Sequence, residues 1–531
     1  MKQGKVIWLV LIPVLLVAAV VILILIPWMR SSGDLHGLLR LGVPATAFAW
    51  TLLLWAALHR LTWQIAALWK CRTDPHGSRD EELPDSALPR FAVFYTTCDD
   101  LVESCLRSCV KQDYPADRMN VFVCDDSTDA KARLAVDQIL VECPAARLIR
   151  RDRHAGFKAG NLNHAFKESG GDAYDWIVLV DADQMLPPSY LRALAGDVRT
   201  MEDDVAFVQS GQIPENAIPA RDENGFQSVM RPEVRMLFER DLPWRHAAGF
   251  YPFLGHAGAV RGSLWRRVGG FPESVSEDMA FAMALHEHGL RGEPAATSRS
   301  SDGIPENFSA FVVRLSKYAA GAAELLTRYF PRYLRSRADM AEKIDLGAWL
   351  CGYALFPVLL VILPAATWLN WKVWSEGLAI LPPMLAAGFV GMFLVSFAPL
   401  ISVTNSLGSA CRHWFWSFAV YGAALPVAAY AFVVHLFGRP RFRCTPKGGR
   451  AAPRHVLAGT LTCLTGLSLV FLAVLWPSPF SWVTASFGSA QILFPLLRHL
   501  HGERAYAVRA LAWLPGLLFA WGVTSVWLRG S

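Results

Sequence analysis

Four carboxylate groupings stand out in the first 280 residues of this 531-residue chain: Asp99–Asp100, Asp125–Asp126, Asp181–Ala182–Asp183 and Glu277–Asp278. Two carboxylates at nearby positions can hold a hard divalent cation, Mg²⁺ or Mn²⁺ rather than zinc, which in turn binds a diphosphate. Such pairs also cap helices or line solvated turns. What separates the two readings here is placement, since MNVFVCDDS (119–127) and DWIVLVDAD (175–183) both put their acids at the end of an apolar strand. In HAGFKAGNLNHAF (154–166), Lys158, two glycines and Asn161 form a turn before a helix that suits an anionic ligand. An ordinary glycine turn with a solvated lysine has the same composition. In VSEDMAFAMALHEHG (275–289), Glu277 and Asp278 open a helical pattern, either as a cap or as a general base facing the same cleft. His286 and His288 occupy the end of that helix and read as helix-end residues, not as a metal pair.

The elements that must position these groups follow a βαβα rhythm. RFAVFYTT (90–97) leads into a helical pattern through Val110, and MNVFVCDDS into another through Val141. ARLIRR (146–151), a helix around Lys158–Lys167 and DWIVLVDAD complete the series. This order predicts a doubly wound α/β domain over residues 71–304 with a mostly parallel sheet, whose ligands bind at the carboxyl ends of the strands.

The flanks are different. The chain is 53% hydrophobic and 18% charged, too apolar for one soluble domain, and its acids concentrate between residues 71 and 345. The net charge of +6 fits juxtamembrane Lys and Arg, and no aromatic-basic module predicts nucleic-acid binding. The ten cysteines lack zinc spacing and read as buried free thiols in a reducing compartment. A run from Val6 to Trp28, with no small-residue cleavage site, reads as a retained span, and a second covers Leu41 to Ala57. Further runs lie near 346–369, 378–402, 414–437, 456–476, 480–497 and 506–528, with several of the 20 tryptophans at their ends. Lys2, Lys5, Arg60, Lys70 and Arg72 flank the first two spans on one side, which places the α/β domain in the cytosol of a multi-pass inner-membrane protein. Arg30 and Arg40 in the intervening loop oppose this.

Taken in order, TTCDD (96–100), CDDS (124–127), KAGN (158–161), DAD (181–183), GHAGAVRGSLWRRVGGF (255–271) and SED (276–278) resemble the family 2 glycosyltransferases, above all the membrane-embedded cellulose, chitin and hyaluronan synthases. The resemblance covers about residues 90 to 450. It implies a GT-A-like domain inserted in a transmembrane helical bundle with interfacial helices. It further implies that Asp99 and Asp125 contact a uridine nucleotide with Lys158 nearby, and that Asp181 and Asp183 flank the sugar donor, Asp183 being the principal metal ligand. Asp278, beside Glu277, would be the base that deprotonates the acceptor. The family's Q-x-x-R-W motif is replaced by RLSKY (314–318), where Arg314, Lys317 and Tyr318 keep a cation and an aromatic face for diphosphate and sugar. Arg328, Arg332, Arg335 and Arg337 continue a basic amphipathic character suited to a membrane surface.

FRCTPKGG (442–449) resembles the family's F-x-V-T-x-K gating loop, so Phe442, Thr445 and Lys447 are expected to close over the donor. Its basic surroundings demand the cytosol, which demotes 414–437 to an interfacial or re-entrant segment and leaves seven spans. The expected organisation is two spans in 1–70, the catalytic domain in 71–304, interfacial helices in 305–345, two spans plus the re-entrant segment in 346–437, the gating loop in 438–455 and the last spans in 456–531. The expected function is an inverting, Mg²⁺- or Mn²⁺-dependent, processive synthase that moves sugar, by default glucose, from a UDP-sugar to a growing β-glycan and exports it. Two alternatives are transfer of one sugar to a lipid carrier and a nucleotide-binding transporter or sensor. No accessory subunit is named by the sequence.

Overall fold

The computed structural model describes residues 84–199, 201–212, 225–301, 304–305, 307–375, 400–401, 403–404, 406–438, 455–477 and 481–492. The expected spans at Val6–Trp28, Leu41–Ala57 and 506–528, the run 378–402 for all but its last few residues, and the gating-loop residues Phe442, Thr445 and Lys447 lie outside them.

Seven strands form one sheet: β1 (Phe91–Thr97), β2 (Met119–Asp125), β3 (Ala146–Arg150), β4 (Trp176–Asp181), β5 (Val205–Gln212), β6 (Gly258–Arg261) and β7 (Arg291–Ser300). Their spatial order is β3-β2-β1-β4-β6-β5-β7. All seven residues of β1 are buried, as a central strand covered on both faces requires. Its side chains alternate between two cores. Ala92 and Phe94 join Phe122, Phe166, Trp265 and Phe281 on one face, while Phe91, Val93 and Tyr95 join Val121, Val123 and Leu191 on the other. Each such aromatic or aliphatic side chain contributes about 1.5–3 kcal/mol when fully buried.

The first four strands fall where the apolar runs predict, and β1, β2, β3 and β4 are mutually parallel neighbours. The remainder departs from a mostly parallel sheet. Strand β6 runs antiparallel to both β4 and β5, and only β5–β7 restores a parallel pair. The reversal serves the site. With Leu179 paired to Gly258, the segment entering β6 lies at the carboxyl end of β4, next to Asp181.

Beyond the sheet, the helix Phe308–Glu324 is buried along most of its length and packs against the long helix Leu407–Phe437. Met340–Trp368 and Leu407–Phe437 are the two described helices long and apolar enough to cross a membrane, with mean hydropathies of 2.2 and 1.8. The second covers the stretch 414–437 expected to be interfacial or re-entrant, and as one continuous helix it excludes a re-entrant bend. It runs unbroken through Pro426 for 31 residues, about 46 Å against a hydrocarbon core of about 30 Å.

Candidate active site

The strand order reverses between β1 and β4, and the acidic groups collect at that switch point. Thr97 is in register with Asp125 and Thr96 with Asp181, so the ends of β2 and β4 flank the end of β1. Asp99 follows β1 with a left-handed backbone, φ 61°. That turn aims its carboxylate across to the β2 end, where it accepts from the Thr128 amide (2.9 Å), the Thr128 hydroxyl (3.1 Å) and the Asp129 amide (2.9 Å). Asp99 remains exposed at the rim.

The Asp125 side chain is fully buried, holds Arg150 Nε at 2.6 Å and accepts from the Ser127 amide at 3.0 Å, so it braces the strand end. Asp126 is likewise engaged, with Arg151 across both oxygens at 2.8 and 2.7 Å and His154 Nδ1 at 2.7 Å. Burial pushes the Asp126 carboxyl up, but the Arg151 and His154 bonds outweigh it and hold the group below the usual range.

Lys158 is the hub. It lies in the first turn of the helix Phe157–Glu168, launched by the left-handed pair Gly156 and Phe157, so Gly160 and Asn161 belong to the helix and not to a binding loop. Asn161 is buried and donates to the Cys124 carbonyl at 2.9 Å, tying the helix to β2. Lys158 Nζ reaches Asp181 Oδ1 at 2.6 Å, the Gly255 carbonyl at 2.8 Å and Glu277 Oε1 at 3.7 Å. Burial disfavours its charge, yet Asp181, Glu277 and Asp278 outweigh that and raise its pKa.

Glu277 and Asp278 form the first turn of the helix Glu277–Glu287. Glu277 is 4% exposed, and burial, with Asp278 adding and Lys158 and Lys317 opposing, pushes its carboxyl up to about 7. Gly255 must stay bare, since a Cβ there would lie 2.9 Å from Asp278 Cβ and its φ is +75°. Helix Phe308–Glu324 closes this side. From that helix Lys317 favours the charged form of Glu277, and Tyr318 is 45% exposed.

Asp181 and Asp183 are both half-buried at the β4 end. Among the described residues no three His, Cys, Asp or Glu side chains converge as a ready cation cage. Two carboxylates of oxygen-only character fit Mg²⁺ or Mn²⁺, which fill their remaining positions with water and substrate phosphate. The fit is therefore to a metal that arrives with a diphosphate. Cys105 and Cys109 are buried in the core, where burial pushes the Cys109 thiol up, and His286 and His288 face different partners, Glu342 and the Ala284 carbonyl.

Several positioning groups carry no motif of their own. The Tyr95 hydroxyl donates to the Ala182 carbonyl at 2.9 Å, holding the turn between Asp181 and Asp183. Gln184 accepts from the Ala257 amide at 3.0 Å and donates to Ser300, and Gln209 donates to the His256 and Ala257 carbonyls at 3.0 Å. Glu324, 3% exposed, accepts from the Ser274 hydroxyl at 2.9 Å and the Val275 amide at 3.1 Å. A buried Gln directly after D-A-D was the one legible sign.

Residues 176–494 match the family described as glycosyl transferase family group 2, and residues 93–253 match glycosyl transferase family 2. The chain is 29% identical over 221 residues to a probable glucomannan 4-beta-mannosyltransferase 1 of Arabidopsis thaliana, covering 40% of this chain and 39% of that protein. It is 24% identical over 390 residues to a cellulose synthase catalytic subunit (UDP-forming) of Komagataeibacter sucrofermentans, covering 69% and 48%. To cellulose synthase 1 catalytic subunit (UDP-forming) of Komagataeibacter xylinus it is 23% identical, covering 82% and 56%. The chain thus spans about half the length of these relatives, or less. Among solved structures, the mannosyltransferase PcManGT from Pyrobaculum calidifontis, in complex with GDP-Man and Mn²⁺, aligns at a TM-score of 0.48 and 20% identity, over 72% of this chain and 99% of that one. The family match over more than half the chain, from β4 through the apolar helices, makes this protein a member of the family 2 glycosyltransferases.

Proposed function

We propose that the chain is a GT-A-like, membrane-embedded, inverting glycosyltransferase that extends a β-linked glycan from a UDP-sugar and passes it through its apolar helices. The observation that carries this reading is the convergence on Lys158 of Asp181 from one strand end and Glu277–Asp278 from one helix start. Asp99 and Lys158 bind the nucleotide, and Asp125 sets the strand end beneath it. Asp181 and Asp183 would hold Mg²⁺ or Mn²⁺, which when bound supplies positive charge against the donor diphosphate. Asp278 accepts the proton of the acceptor hydroxyl as that oxygen forms its bond to the anomeric carbon. The bond from that carbon to the phosphate oxygen breaks on the opposite face, its electron pair leaving with the diphosphate, so the configuration inverts. Arg314, Lys317 and Tyr318 orient acceptor and diphosphate, while Phe442, Thr445 and Lys447 close over the donor.

Glucose is the default sugar, supported by the UDP-forming cellulose synthases. A mannosyl donor is the second reading, favoured by the 29% identity to a probable glucomannan mannosyltransferase. The full-length chain in membranes, given a panel of radiolabelled UDP- and GDP-sugars with Mg²⁺ or Mn²⁺, tests both. Polymeric product and nucleoside diphosphate release support synthesis. A single-addition glycolipid without polymer overturns it, and no release with any donor overturns transferase activity itself.

A further inference from the structure

Between the catalytic half and the apolar helix Met340–Ser375, the chain exposes a short basic segment. Arg332 Nη2 engages Glu287 Oε2 at 2.8 Å, yet its side chain stays 72% exposed. Arg335 and Arg337 are exposed and make no ion pair among the described residues. Between and beside them, Leu334 and Met340 leave 48% and 58% of their surface bare. Glu287, His288, Arg332, Arg335 and Ser336 line one shallow hollow.

The neighbouring charges point inward. Lys343 donates to the Ser336 carbonyl at 2.7 Å, Asp345 holds Arg245 at 2.6 Å, and Glu342 meets His286 at 3.0 Å and the Tyr333 hydroxyl at 3.2 Å. Asp339 is exposed and caps the helix through the Ala341 amide. The outward face therefore carries the unpaired guanidinium groups of Arg335 and Arg337, the exposed fork of Arg332 and a single carboxylate.

Depth decides what such a face meets. From Leu346 to Trp371 the sequence has no Asp, Glu, Lys or Arg. Met340 precedes Leu346 by six residues, about 9 Å of helix, and the headgroup layer is about 5–8 Å deep on each side of the hydrocarbon. If the uncharged stretch sits in hydrocarbon, Met340 and the arginines before it stand at the outer level of the headgroup layer, within reach of the lipid phosphates. Arginine's planar fork matches phosphate oxygens in pairs.

We propose that Arg332–Met340 is a docking surface for anionic phospholipid headgroups of the leaflet facing the catalytic domain. This rests on the membrane placement proposed above. Arg332 also joins the surface to Glu287, the last residue of the helix whose first turn holds Glu277 and Asp278, so headgroup and site share one rigid element.

The test uses the full-length chain in neutral detergent, with its melting midpoint followed as phosphatidylglycerol, phosphatidylcholine or inorganic phosphate is added. Phosphatidylglycerol should raise the midpoint and the other two should not. The double variant R335Q/R337Q should melt like the wild type without lipid, yet need about thirtyfold more phosphatidylglycerol for the same rise. An unchanged titration in R335Q/R337Q, an equal rise with phosphatidylcholine, or a rise with inorganic phosphate alone would overturn the proposal. Release of the expressed chain from membranes by alkaline carbonate would instead overturn the membrane placement, and is scored separately.

Discussion

A lysine among three carboxylates is the centre of this site, and its neighbours divide the negative charge unequally. Asp181 takes the short contact with Lys158, whereas Glu277, buried beside Asp278, is pushed up to about 7 from an ordinary 4.5. A carboxyl raised in this way keeps its proton in the folded chain over a pH range where the unfolded chain has released it. Its contribution to stability is therefore full below about pH 4.5 and is lost as pH rises through about 7. Between those limits the wild type should lose a few kcal/mol relative to E277Q, read as converging or crossing melting midpoints across a pH series. Parallel profiles would show that Glu277 is not held protonated. Asp278 makes a separate claim, since as the base its replacement by Asn should lower turnover by about a hundredfold or more, with donor binding kept. Near-normal turnover in D278N would remove it from the chemistry. Most of these residues were legible because strand-end acids and an S-E-D helix start combine apolar periodicity with charge. What the sequence does not show is that Arg150 and Arg151, one strand away, pair with Asp125 and Asp126.

At the scale of elements, the helix Phe308–Glu324 and the turn before Glu277 behave as one piece. Gly321 lies so close to Ser276 that a Cβ on it would fall 1.9 Å from the hydroxyl, and Glu324 receives the Ser274 hydroxyl and Val275 amide while pairing with Arg328 at 3.1 Å. The helix that carries Arg314, Lys317 and Tyr318 is thereby locked to the turn that carries the proposed base. Replacing Glu324 by Ala strands a buried amide and hydroxyl, at a cost of about 1–3 kcal/mol. Because the loss falls on alignment and not on substrate contact, E324A should lower kcat with little change in KM, and E324Q, which can still accept both bonds, should recover much of it. A rise in KM alone would show that Glu324 is not a positioning residue. The first four strands were readable from apolar runs, but β6 was not. Four residues, Gly-Ala-Val-Arg, are too short to register as a strand until Leu179–Gly258 pairing and the Gln184 and Gln209 bridges fix them. The lock at Gly321 is equally silent in sequence, since an Ala- and Gly-rich helix gives no hint of what its bare face touches.

Across the whole molecule, the question is how a catalytic half and an apolar half keep a common orientation. One buried contact carries much of the answer. Asp345, 1% exposed in the first turns of the helix Met340–Ser375, accepts from Arg245 at 2.6 Å and from the Phe250 amide at 3.0 Å. Arg245 lies over two indole rings, Trp244 at 4.6 Å and Trp349 at 3.9 Å from its guanidinium carbon, so its charge is held by faces as well as by the carboxylate. Gly249 is bare because a Cβ would stand 2.6 Å from Asp345 Oδ2. The contact therefore pins the segment just upstream of Gly255, and with it the carbonyl that Lys158 holds, to the start of a helix able to cross a membrane. Removing one partner of a buried pair costs about 3–5 kcal/mol, whereas replacing both with apolar groups of similar volume is often neutral. D345A should accordingly melt in two steps, the catalytic half first, with turnover falling although every proposed site residue is intact. The double variant R245M/D345L should restore a single transition and most of the stability, because nothing charged is left buried. A single unshifted transition in D345A would mean that the two halves are held together elsewhere, along the packing of Phe308–Glu324 on Leu407–Phe437, and that Asp345 contributes only local order.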